Sequence, residues 1–378
     1  MKRITRYLEK TILDDLNRKM VFLAGPRQCG KTTLAKKLLQ SEKPHDPSRY
    51  LNWDALEDRE MILEERFPAG PGLLILDEVH KFSRWRQMVK GLFDKRSDEV
   101  KILVTGSARL DHYRHGGDSL QGRYHFHRLH PLSYAEIGAS SPADLTDLLT
   151  LGGFPEPFLS GSEKQARRWS KEYRSRLVTE DLQDLEQVKD IALVQQLVLR
   201  LPQLVSAPLS INSLREDLQV AHQTVARWLK ILENIYMIFR IYPFGAPSIK
   251  AVKKEAKHYH MDWTIVDNPG ARLENLVACH LLKWCHFLED SEGRGMELRY
   301  YRDTTGREVD FVILEDGNPI KFVECKSSPG RRHRGLSYLK GKYPEVEAVQ
   351  IDTQTTTDTM SRDGIRILHA GKFLGELV

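Results

Sequence analysis

The stretch MVFLAGPRQCGKTTL, from Met20 to Leu34, decides the fold of this chain. It opens with the apolar run Met20–Ala24, passes through a turn rich in glycine, and ends in residues that favour a helix. A strand, a loop and a helix are therefore predicted in that order. Gly25 to Thr32 fits the pattern GxxxxGK[ST], which wraps a loop around a phosphate group when it lies between a strand and a helix.

The chemistry of this loop predicts a site for ATP and Mg²⁺. Gly25 and Gly30 let backbone N–H groups point at phosphate, at the positive end of the following helix. Lys31 is expected to reach the β and γ phosphates, and the hydroxyl of Thr32 to bind Mg²⁺. The predicted nucleotide-binding residues are Gly25, Pro26, Arg27, Gln28, Cys29, Gly30, Lys31, Thr32 and Thr33. A turn with an incidental lysine is the alternative interpretation of the pattern.

A second apolar run, Leu73–Leu76, ends in the acids Asp77 and Glu78. A strand buried on both faces places such acids at its carboxyl edge, where Mg²⁺ is held in this class of site. Asp77 is expected to bind the ion through water, and Glu78 to polarise the water that attacks the γ phosphate. Two solvated acids after a core strand would be the simpler interpretation, but the preceding loop argues against it.

Two further residues are candidates for the same reaction. The strand Val100–Val104 leads into Thr105-Gly106-Ser107, and the Ser107 hydroxyl is predicted to lie near the γ phosphate; an ordinary polar strand end is the alternative. Arg123 is a candidate arginine finger, in cis or toward a neighbouring subunit, because hydrolysis needs a cation over the developing charge. A structural ion pair explains Arg123 equally well.

The pattern of elements indicates more than one domain. Short buried strands separated by helices predict a parallel sheet with helices on both faces in the N-terminal part. Between about residues 160 and 240 the chain has the pattern of amphipathic helices, among them Arg174–Leu185 and Ile191–Leu201. Strand patterns return beyond residue 250, with a hairpin turn at 315–318 between two of the strands.

These motifs resemble a widespread family of prokaryotic AAA-type ATPases. The resemblance rests on Gly25-Pro26-Arg27-Gln28, Leu76-Asp77-Glu78-Val79, Gly122-Arg123 and Pro131-Leu132-Ser133, and continues in Gly152-Gly153-Phe154-Pro155-Glu156, Leu273-Glu274-Asn275, Glu308-Val309-Asp310-Phe311 and Val323-Glu324-Cys325-Lys326. It implies an α/β fold in three parts: an AAA-type P-loop ATPase domain (1–160), a helical winged-helix domain (161–250), and a restriction-endonuclease-like α/β domain (251–378).

The helical middle has the pattern of a DNA reader. Ser210–Glu216, a turn at 218–221 and His222–Glu233 fit a helix-turn-helix, and Ile235–Pro243 could return as the wing. Gln223, Arg227 and Lys230 line the side of the second helix that is opposite to its apolar face. DNA contact is the functional interpretation of this face; a packing module or a protein-binding surface is the alternative.

The C-terminal part contains the residue set of a metal-dependent phosphodiesterase. Asp310 lies at the start of one hairpin strand, and Glu324 and Lys326 lie two apart on the next. Asp310 and Glu324 are predicted to bind Mg²⁺, Lys326 to activate the attacking water, and Glu274 to add a third carboxylate. The basic residues Arg331, Arg332 and Arg334 would hold DNA. A non-cleaving version, in which Lys326 pairs with Asp310 or Glu324, is the alternative.

Composition sets the outer limits of function. The chain has 378 residues, 40% hydrophobic and 29% charged, with a formal net charge of +5 that permits DNA binding without requiring it. No membrane-spanning run or secretory signal is predicted, so a cytoplasmic location is expected. The sequence thus predicts an ATP-hydrolysing protein associated with DNA, alternatively an ATP-gated nuclease, or a nucleotide switch that grips a protein partner; a ring or dimer is possible.

Overall fold

The computed structural model describes residues 4–43, 45–106, 110, 120–181, 190–245, 255–326 and 334–378. The chain forms two compact units, Met1–Leu132 and Ser133–Val378. Within the described ranges, no helix has both the length and the apolar character needed to cross a membrane.

The first unit alternates strands and helices. Its elements are α1 (Glu9–Asp15), β1 (Met20–Ala24), α2 (Lys31–Ser41), β2 (Tyr50–Asn52), α3 (Leu56–Leu63), β3 (Gly72–Asp77), α4 (Trp85–Arg96), β4 (Val100–Thr105) and β5 (Tyr124–Arg128). The strand, loop and helix predicted around residue 25 are all present, and the two later apolar runs are strands.

The five strands form one parallel sheet in the order β2-β3-β4-β1-β5. This confirms the predicted parallel sheet. Strands β1, β3 and β4 are mainly apolar because both of their faces are covered; β1 is buried at every position. One side of the core joins strand residues such as Phe22 and Leu74 to Trp85 and Val89 of α4. All five carboxyl ends meet at one edge, and β4 lies between the strands that carry Lys31's loop and Asp77.

The second unit begins with helices. They are α5 (Pro142–Leu151), α6 (Pro155–Ser160), α7 (Glu163–Arg176), α8 (Ile191–Arg200), α9 (Ile211–Leu218) and α10 (His222–Asn234). The predicted helix Arg174–Leu185 differs from this arrangement, because α7 ends at Arg176 and continues as a π-helical turn over Leu177–Asp181. Residues 182–189 lie outside the described part of the chain.

A small set of strands follows the last two helices. Strand β6 (Ile238–Pro243) pairs antiparallel with β7 (Lys257–His260), and Pro208, which precedes α9, forms an isolated antiparallel bridge with Lys257. The predicted wing, Ile235–Pro243, therefore contains strand β6. Its last residues also pair in parallel with β8 (Met296–Arg302), so this hairpin is part of the C-terminal sheet.

The C-terminal sheet has eight strands in the order β12-β13-β11-β10-β9-β8-β6-β7. The remaining elements are α11 (Pro269–Glu292), β9 (Glu308–Glu315), β10 (Asn318–Cys325), α12 (Arg334–Lys342), β11 (Glu347–Asp352), β12 (Thr359–Met360), β13 (Ile365–His369) and α13 (Ala370–Gly375). Strands β8, β9 and β10 form an antiparallel meander, and β11 lies parallel to β10. The predicted hairpin turn joins β9 to β10. Helix α11 is longer than the sequence pattern predicts.

Strand β7 is at the edge of this sheet, and an asparagine satisfies part of its free backbone. The side chain of Asn275, in α11, accepts a hydrogen bond from the His260 N–H (2.9 Å) and donates to the His260 carbonyl (2.7 Å). Asn275 is fully buried, so the loss of this amide would leave the His260 N–H unsatisfied and the His260 carbonyl with the weaker thiol donor of Cys279. The amide thus fixes the long helix against β7 and sets the position of Glu274, its neighbour in sequence.

Candidate functional site

The phosphate-binding loop follows β1 at the carboxyl edge of the parallel sheet. Gly25 has φ +145°, and a Cβ at this position would lie 2.2 Å from the Leu129 carbonyl oxygen, so the backbone approach requires glycine. Gly30 is left-handed, with φ 99°, immediately before α2 begins at Lys31. The two glycines are needed for the reason that the pattern predicts: the chain must turn tightly into the helix.

Lys31 is the first residue of α2 and is buried. Its ammonium group donates to the carbonyl oxygens of Gly25 (3.0 Å) and Pro26 (2.7 Å), so the side chain folds back over the loop. In this position the Lys31 ammonium lies over the loop, so it can release the two carbonyl oxygens and bind phosphate oxygens in their place.

Asp77 is the centre of the site. Its carboxylate accepts hydrogen bonds from the hydroxyl of Thr32 (2.8 Å), from the hydroxyl of Tyr50 (2.7 Å) and from that of Thr105. These donors come from α2, β2 and β4, and Asp77 is 3% exposed. Burial, and then the hydrogen bond to Asp77, raise the pKa of Tyr50 well above its usual range, so Tyr50 remains a donor. The predicted pair Thr32 and Asp77 is brought together.

Glu78 follows Asp77 in a left-handed conformation, with φ 56°. Its carboxylate lies 3.7 Å from the Lys81 ammonium and 3.7 Å from Nε2 of His80. Burial raises the pKa of Glu78, while Lys31 and Lys81 act in the opposite direction. Glu78 thus combines a buried carboxylate with nearby cationic side chains, an arrangement suited to a residue that accepts a proton from water.

Two contributors to this edge were not selected from the sequence. Thr105, rather than a residue after it, supplies a hydroxyl to Asp77; Ser107, which we favoured, lies outside the described residues. Arg6 donates to the carbonyl oxygens of Cys29 (2.7 Å) and His130 (2.5 Å) and thereby ties the loop to the chain beyond β5. Thr105 ends the apolar run of β4, where a polar strand end was expected, whereas no sequence pattern pointed to Arg6.

The remaining predicted loop residues divide by exposure. Gln28, Thr32 and Thr33 are exposed, and Cys29 is fully buried, with its thiol donating to the Leu129 carbonyl oxygen (3.3 Å). Cys29 therefore fills space within the loop, because a buried thiol that donates to a carbonyl is not exposed to oxidants.

Arg123 lies at the opposite edge of the sheet. It precedes β5, its carbonyl accepts from the N–H of Met20 at the start of β1, and its guanidinium pairs with Asp94 of α4 at 2.7 Å. The phosphate-binding loop begins at the other end of β1. The structure therefore does not bring Arg123 to the loop of its own chain, and the ion pair that we weighed as the alternative is present.

In the second unit the predicted phosphodiesterase residues do converge. Glu324 accepts from the ammonium of Lys326 (2.7 Å) and from the backbone N–H of Asp310 (3.3 Å), and Asp310 accepts from the N–H of Cys325 (2.9 Å). Glu274 reaches the same centre from α11 and accepts from the Tyr259 hydroxyl (2.7 Å). We call Glu274, Glu308, Asp310 and Glu324 the carboxylate cluster.

The ammonium of Lys257 also lies in the carboxylate cluster, and sequence reasoning did not select this residue. It is 2.6 Å from Glu308, 3.3 Å from Glu274 and 3.5 Å from Asp310. In the described parts of the chain, no group of three His, Cys, Asp or Glu side chains has an arrangement that could hold a metal ion. The predicted metal ligands are thus close together. However, the ammonium of Lys257 contacts Glu274 and Asp310, and that of Lys326 contacts Glu324.

Burial governs the ionisation of this cluster. Desolvation, and then repulsion by Asp310, raise the pKa of Glu324 to about 8 and that of Glu274 to about 7; Lys326 and Lys257, respectively, act against the rise. The two carboxyl groups consequently hold protons more firmly in the folded chain than in the unfolded one.

The predicted DNA-facing residues are arranged as the helical pattern requires. Val225, Leu229 and Leu232 are buried on one side of α10, whereas Gln223, Arg227 and Lys230 are exposed. Lys230 lies 3.8 Å from Glu233. Arg334 is exposed at the start of α12; Arg331 and Arg332 lie outside the described residues.

Comparison with known families gives three adjacent matches. Residues 17–138 match the model of an AAA domain, and residues 142–268 and 269–373 match two domains of unknown function, DUF8612 and DUF4143. This first match covers the phosphate-binding loop, so the first unit is similar to an AAA domain over most of its length. The resemblance drawn from the motifs is thereby confirmed for the AAA part.

Similar full-length proteins occur in distant prokaryotes. An uncharacterized protein of Haemophilus influenzae is 23% identical over 93% of this chain and 93% of its own length, and an uncharacterized protein of Mycobacterium tuberculosis is 27% identical over 82% and 71%, respectively.

Among solved structures, a RuvB variant from Thermotoga maritima matches 63% of this chain and 90% of its own at 17% identity and a TM-score of 0.29. AMPPCP-bound DnaA from Aquifex aeolicus matches 60% and 86%, at 14% identity and a TM-score of 0.31.

The raised pKa of Glu324 predicts that stability falls as the pH rises. Below the unfolded-state value of about 4.3 for Glu, the carboxyl is protonated in both states and its stabilisation is complete. That stabilisation is lost as the pH rises through about 8, because the folded chain must then release a proton that it holds tightly. We expect Glu324→Gln to flatten the decline in the free energy of unfolding between pH 5 and pH 9, measured by urea unfolding followed by tryptophan fluorescence.

The exposed residue Glu345 provides the control for this experiment. Glu345→Gln should keep the pH dependence of the wild type. An identical decline in wild type and Glu324→Gln would contradict the assigned ionisation.

Proposed function

We propose that this protein binds and hydrolyses ATP with Mg²⁺ and uses that cycle in association with DNA. The proposal of ATP hydrolysis rests on three hydroxyl groups that donate to Asp77. One of them is that of Thr32, which follows Lys31 in the phosphate-binding loop, and the Lys31 ammonium covers this loop. A phosphate-binding loop alone would support nucleotide binding. An acidic strand end joined to that loop through Thr32 supports hydrolysis as well.

The donors at this edge are suited to Mg²⁺, which prefers oxygen ligands. The Thr32 hydroxyl and the Asp77 carboxylate lie 2.8 Å apart and would hold the ion with the phosphates of the nucleotide. When bound, Mg²⁺ neutralises charge on the phosphate oxygens. Thr105 and Tyr50 keep the carboxylate in one orientation, so that it need not reorganise during turnover.

Lys31 and Glu78 divide the remaining work. Lys31 binds phosphate, and Glu78 accepts the proton of the attacking water; its neighbours Lys81 and His80 orient it. Arg123 can act only on the nucleotide of another copy of the chain, because in its own chain it lies at the far edge of the sheet. A role for Arg123 in hydrolysis therefore requires an oligomer.

Two substitutions separate binding from turnover. Lys31→Ala should weaken ATP affinity by roughly 100-fold, because it removes a charge-assisted contact to phosphate. Glu78→Gln should keep the affinity within about threefold and lower kcat at least about 100-fold, since the amide cannot accept the proton. Phosphate release and titration with a fluorescent nucleotide measure the two quantities.

Glu99→Gln is the matched control. Glu99 is exposed and precedes β4, at the edge away from the loop, so its amide variant should hydrolyse ATP like the wild type. Equal ATPase rates in wild type and Glu78→Gln would exclude the role given to Glu78.

The association with DNA is supported by the order of elements in the second unit. Helix α8, the bridge at Pro208, helices α9 and α10, and the hairpin of β6 and β7 follow one another as in a winged helix. The exposed side of α10 carries Gln223, Arg227 and Lys230, which is the side that a recognition helix presents to the major groove or to phosphates.

A salt titration tests this surface. If Arg227 neutralises a phosphate, Arg227→Ala should lower the slope of log K against log salt concentration by about one unit. Binding of fluorescent duplex DNA, followed by anisotropy between 50 and 200 mM salt, would give this slope.

Arg294→Ala is the control. Arg294 already forms a two-point ion pair with Glu315 (2.6 and 2.7 Å), so its replacement should leave the slope unchanged. An unchanged slope in Arg227→Ala removes Arg227 from the contact surface.

An ATP-gated nuclease is the second candidate, favoured by the convergence of Asp310, Glu324 and Lys326. The fold around these residues supports it: a helix, three antiparallel strands, a second helix and a parallel strand, in the order α11, β8, β9, β10, α12, β11. The pairing of Lys257 and Lys326 with the carboxylates favours instead a domain that binds without cutting, as in a nucleotide switch.

A plasmid-cleavage assay decides between a nuclease and a domain that binds without cutting. We expect supercoiled plasmid to stay intact with Mg²⁺ or Mn²⁺, with or without ATP, because the carboxylates are already paired with ammonium groups. Cutting by the wild type that disappears in Glu324→Ala would establish the nuclease instead. The outcome of the ATPase assays does not depend on the cleavage result, since the ATPase assays test the first unit.

A further inference from the structure

Lys257 is a buried cation at the centre of the carboxylate cluster. It lies on β7 and its exposed fraction is 0%. Its ammonium group reaches Glu308 on one side and Glu274 and Asp310 on the other, at 2.6, 3.3 and 3.5 Å. One positive charge thus joins the edge strand of the sheet to α11 and to β9.

The charge on Lys257 is secured by its surroundings. Burial works to lower the pKa of the ammonium group, but Glu274, Asp310 and Glu308 together raise it above its usual range. A buried lysine without such partners would give up its proton. The ammonium of Lys257 is thus held by three carboxylates in a buried position.

The position of this ammonium matters for metal binding. Mg²⁺ and Mn²⁺ need carboxylate oxygens at about 2.0–2.6 Å, and Glu274 and Asp310 would have to supply them. Lys257 contacts both of those carboxylates, in addition to Glu308. A divalent ion placed between them would meet a fixed positive charge at close range, and the surrounding protein excludes most of the water that could screen it.

The rest of the cluster does provide oxygen ligands. Gln350 of β11 is in register with Glu324 of β10 in a parallel pair, so both side chains project from the same face. Its Oε1 atom is buried and has no hydrogen-bond donor among the residues that the structure describes. An acceptor without a donor, on the same sheet face as Glu324, would suit a cation, whereas the ammonium groups of Lys257 and Lys326 oppose one.

One member of the cluster also lines a cavity. A cavity of about 470 Å³ is lined by Glu274 together with Ser206, Asp267 and Asn268. Glu274 thus lines this cavity and also contacts the Lys257 ammonium.

We propose that Lys257 is a built-in counter-cation that takes the place of a divalent metal in the carboxylate cluster and keeps such metals out. The inference concerns the centre of the second candidate function and explains why a nuclease-like residue set would not cut. It predicts that removal of the Lys257 charge converts the cluster into a metal site.

Mn²⁺ titration of the full chain without nucleotide tests this proposal, with free Mn²⁺ measured by electron paramagnetic resonance. Wild type and Asp310→Asn should bind Mn²⁺ alike, within about twofold. Lys257→Met should gain one site at least tenfold tighter than any in the wild type. The double variant Lys257→Met with Asp310→Asn should lose that site again.

Lys283→Met is the matched control. Lys283 is also buried and pairs with Glu136, which is not part of the carboxylate cluster, so its loss uncovers no carboxylate of the cluster. It should gain no tight Mn²⁺ site.

Two results would overturn the proposal: a tight site in the wild type that Asp310→Asn removes, or a folded Lys257→Met that gains no site. If Lys257→Met does not fold, the comparison of wild type with Asp310→Asn decides alone. Failure of the ATPase proposal would show in phosphate release and leave these titrations unaffected.

Discussion

The first unit depends on one carboxylate. Asp77 ends a strand buried on both faces, and an uncompensated charge in such a place would cost several kcal/mol. Three hydroxyl groups from separate elements compensate it, and these same groups fix the distances between α2, β2, β3 and β4. The stability of the sheet edge and the geometry of the nucleotide site are therefore one constraint. Thr32 is the link, because it belongs to the loop and to this network.

A similar constraint organises the second unit, where the buried charge is positive and its partners are negative. There a buried ammonium, Lys257, is compensated by carboxylates from α11 and β9. Asn275, next to Glu274, holds the backbone of β7 in place, so the helix and the edge strand are fixed by two adjacent side chains. This explains the motif Leu273-Glu274-Asn275 physically: each of its two polar residues satisfies a different buried group of β7.

The strand hairpin that carries Lys257 also connects two regions that the sequence patterns present as separate. Strand β6 pairs with β7, and beyond that pairing with β8 of the C-terminal sheet. The helical middle and the α/β region thus share one sheet within one compact unit. A change in the hairpin would reach the carboxylate cluster through Lys257, because that residue is part of both.

The sequence by itself determined the elements whose signals are local. An apolar run, two glycines and a lysine specify β1, the loop and α2, because strand burial, a tight turn and a helix start each depend on neighbouring residues. The acids after β3, the hairpin of β9 and β10, and the two faces of α10 are local patterns of the same kind. The fold of the first unit and the contact between Thr32 and Asp77 could therefore be predicted, and the nucleotide chemistry assigned to these residues stays a prediction.

Only the tertiary structure decided which distant residues complete each site. Tyr50 and Thr105 reach Asp77 because β2 and β4 flank β3, and strand order has no periodic signal in the sequence. Arg123 lies away from the loop because it precedes its strand rather than following it. Lys257 enters the carboxylate cluster because β7 closes the edge of the sheet against α11. Buried charges find their partners through space, and in this chain the partners come from elements far apart in sequence.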